Sequence, residues 1–127
     1  MLMEGSIEEV LVLIPVDSGA SHNFLSKQLA THFTESIAET PQFCIRLGDE
    51  HHVVSRRICK ELRVLIGDVE FKVDAYIFDT TGPDLVLGIS WLETLGSVTT
   101  HWKNMTMSFE WGGKGVTLQG TQHLQHS

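Results

Sequence analysis

Apolar positions in this chain recur mostly with the period of two that marks half-buried strands, and seldom with the longer period of helices. The clearest pair of elements is Leu62-Arg63-Val64-Leu65-Ile66 followed by Val69-Glu70-Phe71-Lys72-Val73-Asp74-Ala75-Tyr76-Ile77, where Val69, Phe71, Val73, Ala75 and Ile77 share one face. Gly67-Asp68 joins them as a two-residue turn whose glycine can take positive φ. A second hairpin is expected where Gln42 to Leu47 and His51 to Arg57 flank Gly48-Asp49-Glu50, and its tip should be exposed and mobile. The run Val10 to Val16 reads as a buried strand, and Asp84-Leu85-Val86-Leu87-Gly88-Ile89 as a strand buried on both faces. Further strands are predicted over Val98 to Phe109 and Val116 to Leu118, around the turn Gly112-Gly113-Lys114-Gly115.

Helices should be few and short. Ser26 to His32 can form one to two turns, with Ser26 as N-cap and Leu25, Leu29 and Phe33 along a common face. Ser90-Trp91-Leu92-Glu93 has the form of a capping box, and Gly96 is placed to end the helix it would start. Nothing repeats internally and no linker divides the chain. The expected fold class is all-β, in a single domain.

Composition narrows the function classes. The chain has 127 residues, 42% of them hydrophobic and 20% charged, which suits one globular domain with one core. A net charge of −7 argues against a nucleic-acid partner, because affinity for phosphate backbones rests on clustered Lys and Arg, and the longest basic patch is Arg56-Arg57. No stretch approaches the roughly 20 apolar residues of a membrane helix, and Glu8-Glu9 rather than a basic segment precedes Val10. No membrane partner and no signal peptide are expected. The two cysteines, Cys44 and Cys59, are expected to be reduced thiols in a cytoplasmic protein.

Candidate chemistry concentrates at Asp17-Ser18-Gly19, which follows the apolar run and occurs once. A tripeptide of this kind arises by chance in a chain of this length with a probability of roughly 0.03, and all three residues are common in turns. Its setting adds weight. Ala20 and Phe24-Leu25 continue the apolar character after it, so the Asp17 carboxylate is expected to be partly buried. A buried carboxylate is tolerated when it is paired or keeps its proton. Two copies of Asp17 meeting about 3 Å apart across a two-fold axis cannot both ionise, which provides an acid and a base at one site. The charged member would activate a water to attack a peptide carbonyl, and the neutral member would hydrogen-bond its oxygen.

Three motifs in this order carry a family resemblance: Val16-Asp17-Ser18-Gly19-Ala20-Ser21-His22-Asn23-Phe24-Leu25, then Asp84 to Gly96, then Met105-Thr106-Met107-Ser108-Phe109. With the segments between, they span about Val10 to Gly120. The chain resembles a retropepsin, the aspartic protease of retroviruses and retroelements, and most closely the type found in gypsy-type LTR retrotransposons of plants. The resemblance implies a closed, mostly antiparallel β barrel with one or two short helices over residues 1–120, active as a symmetric homodimer, while the tail over 121–127 reads as disordered. It makes Asp17 the catalytic carboxylate, Ser18 a bond to its twin across the dimer, and Gly19 and Ala20 the rest of the active-site loop. Leu47, Gly48, Asp49 and Glu50 would form the flap over bound peptide, and Leu87 and Gly88 would pass beside the loop, Gly88 leaving room for it. No cofactor is implied. The substrate would be a peptide or the element's own polyprotein, in the cytoplasm or within virus-like particles. The alternative is a retropepsin-like module that keeps fold and dimer without catalysis.

Two features depart from the family pattern. Pro15 lies in the strand leading to Asp17, where it removes a ladder hydrogen bond, so an insertion or bulge is expected there. The flap has one glycine and is charged through Asp49, Glu50, His51 and His52, which implies a stiffer, acidic tip that disfavours acidic substrates.

Other constellations carry little. His51 and His52 would point to opposite faces of a strand, so they and the cysteines make no metal site, and none is expected. With a two-residue turn at Gly48-Asp49, Cys44 would lie opposite Val53 rather than Cys59, which argues against a disulfide. Asn104-Met105-Thr106 is a glycosylation sequon without a secretory context. The glycine-rich turn lacks the Ser or Thr and the helix of a phosphate loop, and neither Ser18 nor Ser21 has the surroundings of a serine hydrolase.

Overall fold

A computed structural model describes residues 1–33, 36–47, 51–79 and 82–121. Ten strands dominate: β1 (Leu2–Ile7), β2 (Val10–Pro15), β3 (Phe24–Ser26), β4 (Ile37–Leu47), β5 (His51–Ile66), β6 (Val69–Phe78), β7 (Leu85–Val86), β8 (Thr99–His101), β9 (Thr106–Trp111) and β10 (Lys114–Gln119). Helix α1 (Lys27–Ala30) follows β3, and α2 (Ile89–Leu92) continues into a 3-10 turn, Glu93–Leu95. Seven strands form one sheet in the order β2-β1-β5-β6-β3-β7, with β4 also on β5, and β10-β9-β8 form a second. The end strands of the large sheet meet through a parallel bridge between Val16 and Leu87. That bridge makes the sheet a nearly closed barrel, and it falls one residue before Asp17.

Alternation places the core as expected. Phe71, Val73, Ala75 and Ile77 of β6 are buried, Val69 is half-buried, and Glu70, Lys72 and Asp74 face water. Ile66 pairs with Val69 across the Gly67-Asp68 turn, where Gly67 has φ 61°. Trp111 pairs with Lys114, leaving Gly112 and Gly113, both at positive φ, as the tight turn of the β9–β10 hairpin. Trp91 lies edge-on to Phe71 at 5.3 Å in the same core.

Several elements differ from the sequence expectation. Leu2–Ile7, to which the pattern assigns no element, is a strand paired along its length with β2. β5 is one strand rather than two, broken by a register shift between Cys59 and Leu62. There Glu61 takes φ 53° and its amide donates to an Asp74 carboxylate oxygen at 2.9 Å, which compensates the unpaired residue. In the 84–89 run only Leu85 and Val86 are strand, because the chain turns into α2 at Ile89. The 98–109 segment is two strands separated by a turn in which Met105 has φ 56°.

The capping expectation holds at one helix and fails at the other. Ser26 Oγ accepts from the Leu29 amide at 3.1 Å and caps α1. Helix α2 starts earlier than the Ser90 box suggests, with Gly88 as N-cap and no side-chain cap. Its first amide goes to the barrel loop instead, Ile89 N donating to Ala20 O at 2.9 Å.

Candidate active site

Pro15 leaves the strand undisturbed, contrary to the expected bulge. β1 and β2 stay in register from Ile7–Val10 through Leu2–Pro15. Met1 and Val16 exchange both backbone bonds, at 3.2 and 2.7 Å. Antiparallel pairs alternate between bonded and non-bonded, so Leu2–Pro15 is a non-bonded pair and β1 asks no donor of Pro15. On the other side its carbonyl accepts from Leu87 N at 3.1 Å. Proline therefore occupies a position where its missing N–H costs the β1–β2 ladder no bond.

Beyond Pro15 the chain is held on both sides. Asp17 N donates to Leu87 O at 3.0 Å, Ala20 N donates to Asp17 O at 3.1 Å, and Gly19 N donates to Asp17 Oδ1 at 2.8 Å. One carboxylate oxygen is thus fixed by its own loop. The carboxylate is exposed in the single chain, not partly buried as the sequence suggested, because the apolar residues after it turn inward at Ala20 and leave Asp17 and Ser18 on the surface.

Gly88 faces this loop at very short range. A Cβ there would lie 2.5 Å from His22 O and 2.6 Å from Ala20 O, both rigid backbone atoms, so no larger residue fits. Gly88 N donates to Asn23 Oδ1 at 2.9 Å, and Asn23 Nδ2 donates to Asp74 O at 3.2 Å. Asn23 is a buried polar side chain that ties loop, β6 and α2 together, and sequence reasoning gave it no role. Its only sequence signal is a polar residue directly before Phe24-Leu25.

His22 was likewise missed. Its Nδ1 lies 3.0 Å from Ser21 Oγ, and its ring sits edge-on to Phe43 at 4.7 Å and to Tyr76 at 5.6 Å, while those two rings stack at 4.3 Å. This cluster packs the loop against β4, the strand leading toward the expected flap. Of the flap candidates, Leu47 pairs with His51 in the backbone ladder, and Gly48, Asp49 and Glu50 lie outside the described residues. The register puts Cys44 opposite Val54 rather than Val53, since three residues separate the strands. Cys44 is exposed, Cys59 is buried, and both are free.

Among the described residues no group of three or more His, Cys, Asp or Glu is disposed to hold a metal ion. A cavity of about 520 Å³ lined by residues such as Phe33, Ile37, Lys60, Arg63 and Lys72 includes no residue of the Asp17 loop. The Asp17 loop offers, in one chain, one surface carboxylate oriented by backbone on a nearly closed barrel.

A nearly closed barrel joined beside a single Asp-Ser-Gly loop, with Gly88 pressed under it, has the arrangement of the aspartic protease class. The chain belongs to the retroviral aspartyl protease family, whose model matches residues 3–111. Among solved structures, the retroviral protease-like domain of Ddi1 from Leishmania major matches with a TM-score of 0.72, covering 98% of this chain and 96% of that one at 15% identity. At that identity the likeness shows the fold. No curated protein matches the chain.

Proposed function

We propose that the chain is an aspartic endopeptidase that works as a symmetric homodimer, with two Asp17 carboxylates activating one water. The observation that carries this reading is the Asp17 carboxylate itself, exposed and oriented by Gly19 N. A lone surface carboxylate has no means of holding one acid and one base, whereas two sharing a proton do. The ionised member takes a proton from water as the water attacks the peptide carbonyl, and the protonated member donates a hydrogen bond to the carbonyl oxygen. Ser18 would bond its counterpart's loop, and the turn between β4 and β5 would cover the peptide. Sequence motifs of the plant gypsy-type elements support a retroelement polyprotein as substrate, processed in the cytoplasm or in particles.

The competing reading is a dimeric module without catalysis. Its support is the charged tip at Asp49-Glu50, since the regular pairing at Pro15 removes the other argument for it. Cleavage of a peptide panel between about pH 4 and about pH 7 separates the two. The wild type should cleave, and Asp17→Asn should lose about 10³-fold or more. Equal inertness of both proteins in their dimeric form sinks the peptidase reading.

A further inference from the structure

We propose that the hollow lined by Lys27, Arg56 and Arg57 docks an acidic stretch of the polypeptide substrate, outside the residues held in the cleft. The inference rests on the peptidase reading above and names a substrate class for it.

Charge placement supplies the first step. The chain has 16 acidic and nine basic residues, so a cationic surface is the exception on it. Arg56-Arg57, the longest basic patch in the sequence, lies on β5, and Lys27 opens α1, an element distant in sequence. The fold brings these three side chains together around a cavity of about 330 Å³, in which Asp79 is the one acid among the described lining residues. Arg56 Nη2 donates to Gln42 Oε1, a neutral partner, at 3.3 Å, and among the described residues no carboxylate lies within ion-pair distance of Lys27, Arg56 or Arg57. Glu39 stands opposite Arg57 in the β4–β5 ladder and Asp79 shares the hollow, yet neither pairs with these cations. Two guanidinium forks and an ammonium without carboxylate partners suit an incoming carboxylate, which Arg holds through two parallel N–H bonds.

The other walls select a polypeptide over a small anion. Val54, 51% exposed, and Phe78 line the same cavity, so a segment that carries apolar as well as acidic side chains covers surface that an inorganic anion would leave bare. The larger cavity beside Phe33 also has Lys60, Arg63 and Lys72, but Glu8 and Glu61 line it with them and nearly balance the charge. Arg56 lies five residues along β5 from His51, about 17 Å at strand rise. An acidic stretch seated at Arg56 therefore avoids the acidic Asp49-Glu50 segment, which disfavours carboxylates in the cleft itself.

Cleavage of one peptide carrying either a Glu-rich or a Gln-rich extension tests the docking. In the wild type the Glu-rich extension should lower KM about tenfold at unchanged kcat, since a contact remote from the scissile bond binds substrate and transition state alike. Arg56→Gln/Arg57→Gln should lose that advantage and Lys27→Gln part of it. Lys60→Gln/Arg63→Gln, equal in net charge to the first pair, should keep it. Lys27 is exposed, so its variant decides the matter if the arginine pair fails to fold, with circular dichroism as the check. Anisotropy of the fluorescein-labelled Glu-rich extension on the Asp17→Asn chain reads the hollow without catalysis, and binding should weaken about tenfold in the arginine pair. Equal KM for the two extensions, or equal loss in both double variants, overturns the docking site and leaves the peptidase in place. A chain that cleaves nothing but binds the Glu-rich extension through Arg56 and Arg57 supports the site and counts only against the peptidase. One that binds the two extensions equally overturns the site whether or not it cleaves.

Discussion

Asn23 and Cys59 are both buried, and each is stabilised by what surrounds it rather than by its own hydropathy. The Asn23 amide uses its oxygen to accept from Gly88 N and its nitrogen to donate to Asp74 O, so a polar group in the interior is hydrogen-bonded at both ends. Cys59 is fully buried, and its thiol is pushed above the usual range, first by burial and then by the nearby carboxylates of Asp74 and Glu8. All three influences disfavour the thiolate. Because the folded state holds this proton more tightly than the unfolded one, the stabilisation is complete below the unfolded thiol's value of about 8.5 and is lost as pH rises through the folded value. Two outcomes are expected. A disulfide reagent should modify exposed Cys44 at once and Cys59 only in denaturant, and the urea midpoint should fall between about pH 8 and about pH 10 more steeply in the wild type than in Cys59→Ala. Rapid modification of two thiols in the folded protein contradicts the burial argument.

At the scale of elements, the decisive contact is the passage of the Leu87-Gly88 segment beneath the Asp17 loop. Leu87 bonds Pro15 and Asp17, and Gly88 sits against the Ala20 and His22 carbonyls. Gly88→Ala forces a Cβ onto backbone that cannot rotate away, so a loss of about 1–3 kcal/mol is expected by chemical denaturation. The displaced loop should lower peptide cleavage more than stability alone explains. Wild-type stability in Gly88→Ala removes this account. Such contacts explain what was legible in the sequence and what was not. The β5–β6 hairpin and the glycine turn at 112–113 are local, set by alternation and positive φ, and could be read directly. Likewise Asp17, Leu87 and Gly88 stood out in motifs, although the bonds joining them were invisible along the chain. β1 escaped because Glu4, Gly5 and Ser6 interrupt its apolar pattern. Gly5 is there for long-range reasons, since a Cβ would meet Leu65 O at 2.7 Å and an Ile14 methyl at 2.8 Å. The start of α2 escaped because its first amide, that of Ile89, is satisfied by Ala20 O, 69 positions earlier, rather than by a neighbouring serine.

At the scale of the molecule, net charge opposes the proposed homodimer. Each chain carries −7, so two copies repel at long range. In the proposed dimer, apolar burial between the copies would supply an attraction that salt does not screen. Repulsion between acidic surfaces is screened with a Debye length of about 10 Å at 0.1 M salt and about 3 Å at 1 M. Dimerisation should therefore tighten as salt is added, with the dissociation constant falling severalfold between about 0.05 M and about 1 M sodium chloride. Peptide cleavage per chain at dilute protein should rise in parallel, because only dimers hold two Asp17 carboxylates. Sedimentation and cleavage measured on the same dilution series give both curves. Weaker association at high salt would mean that ion pairs between the copies outweigh the repulsion of their net charges.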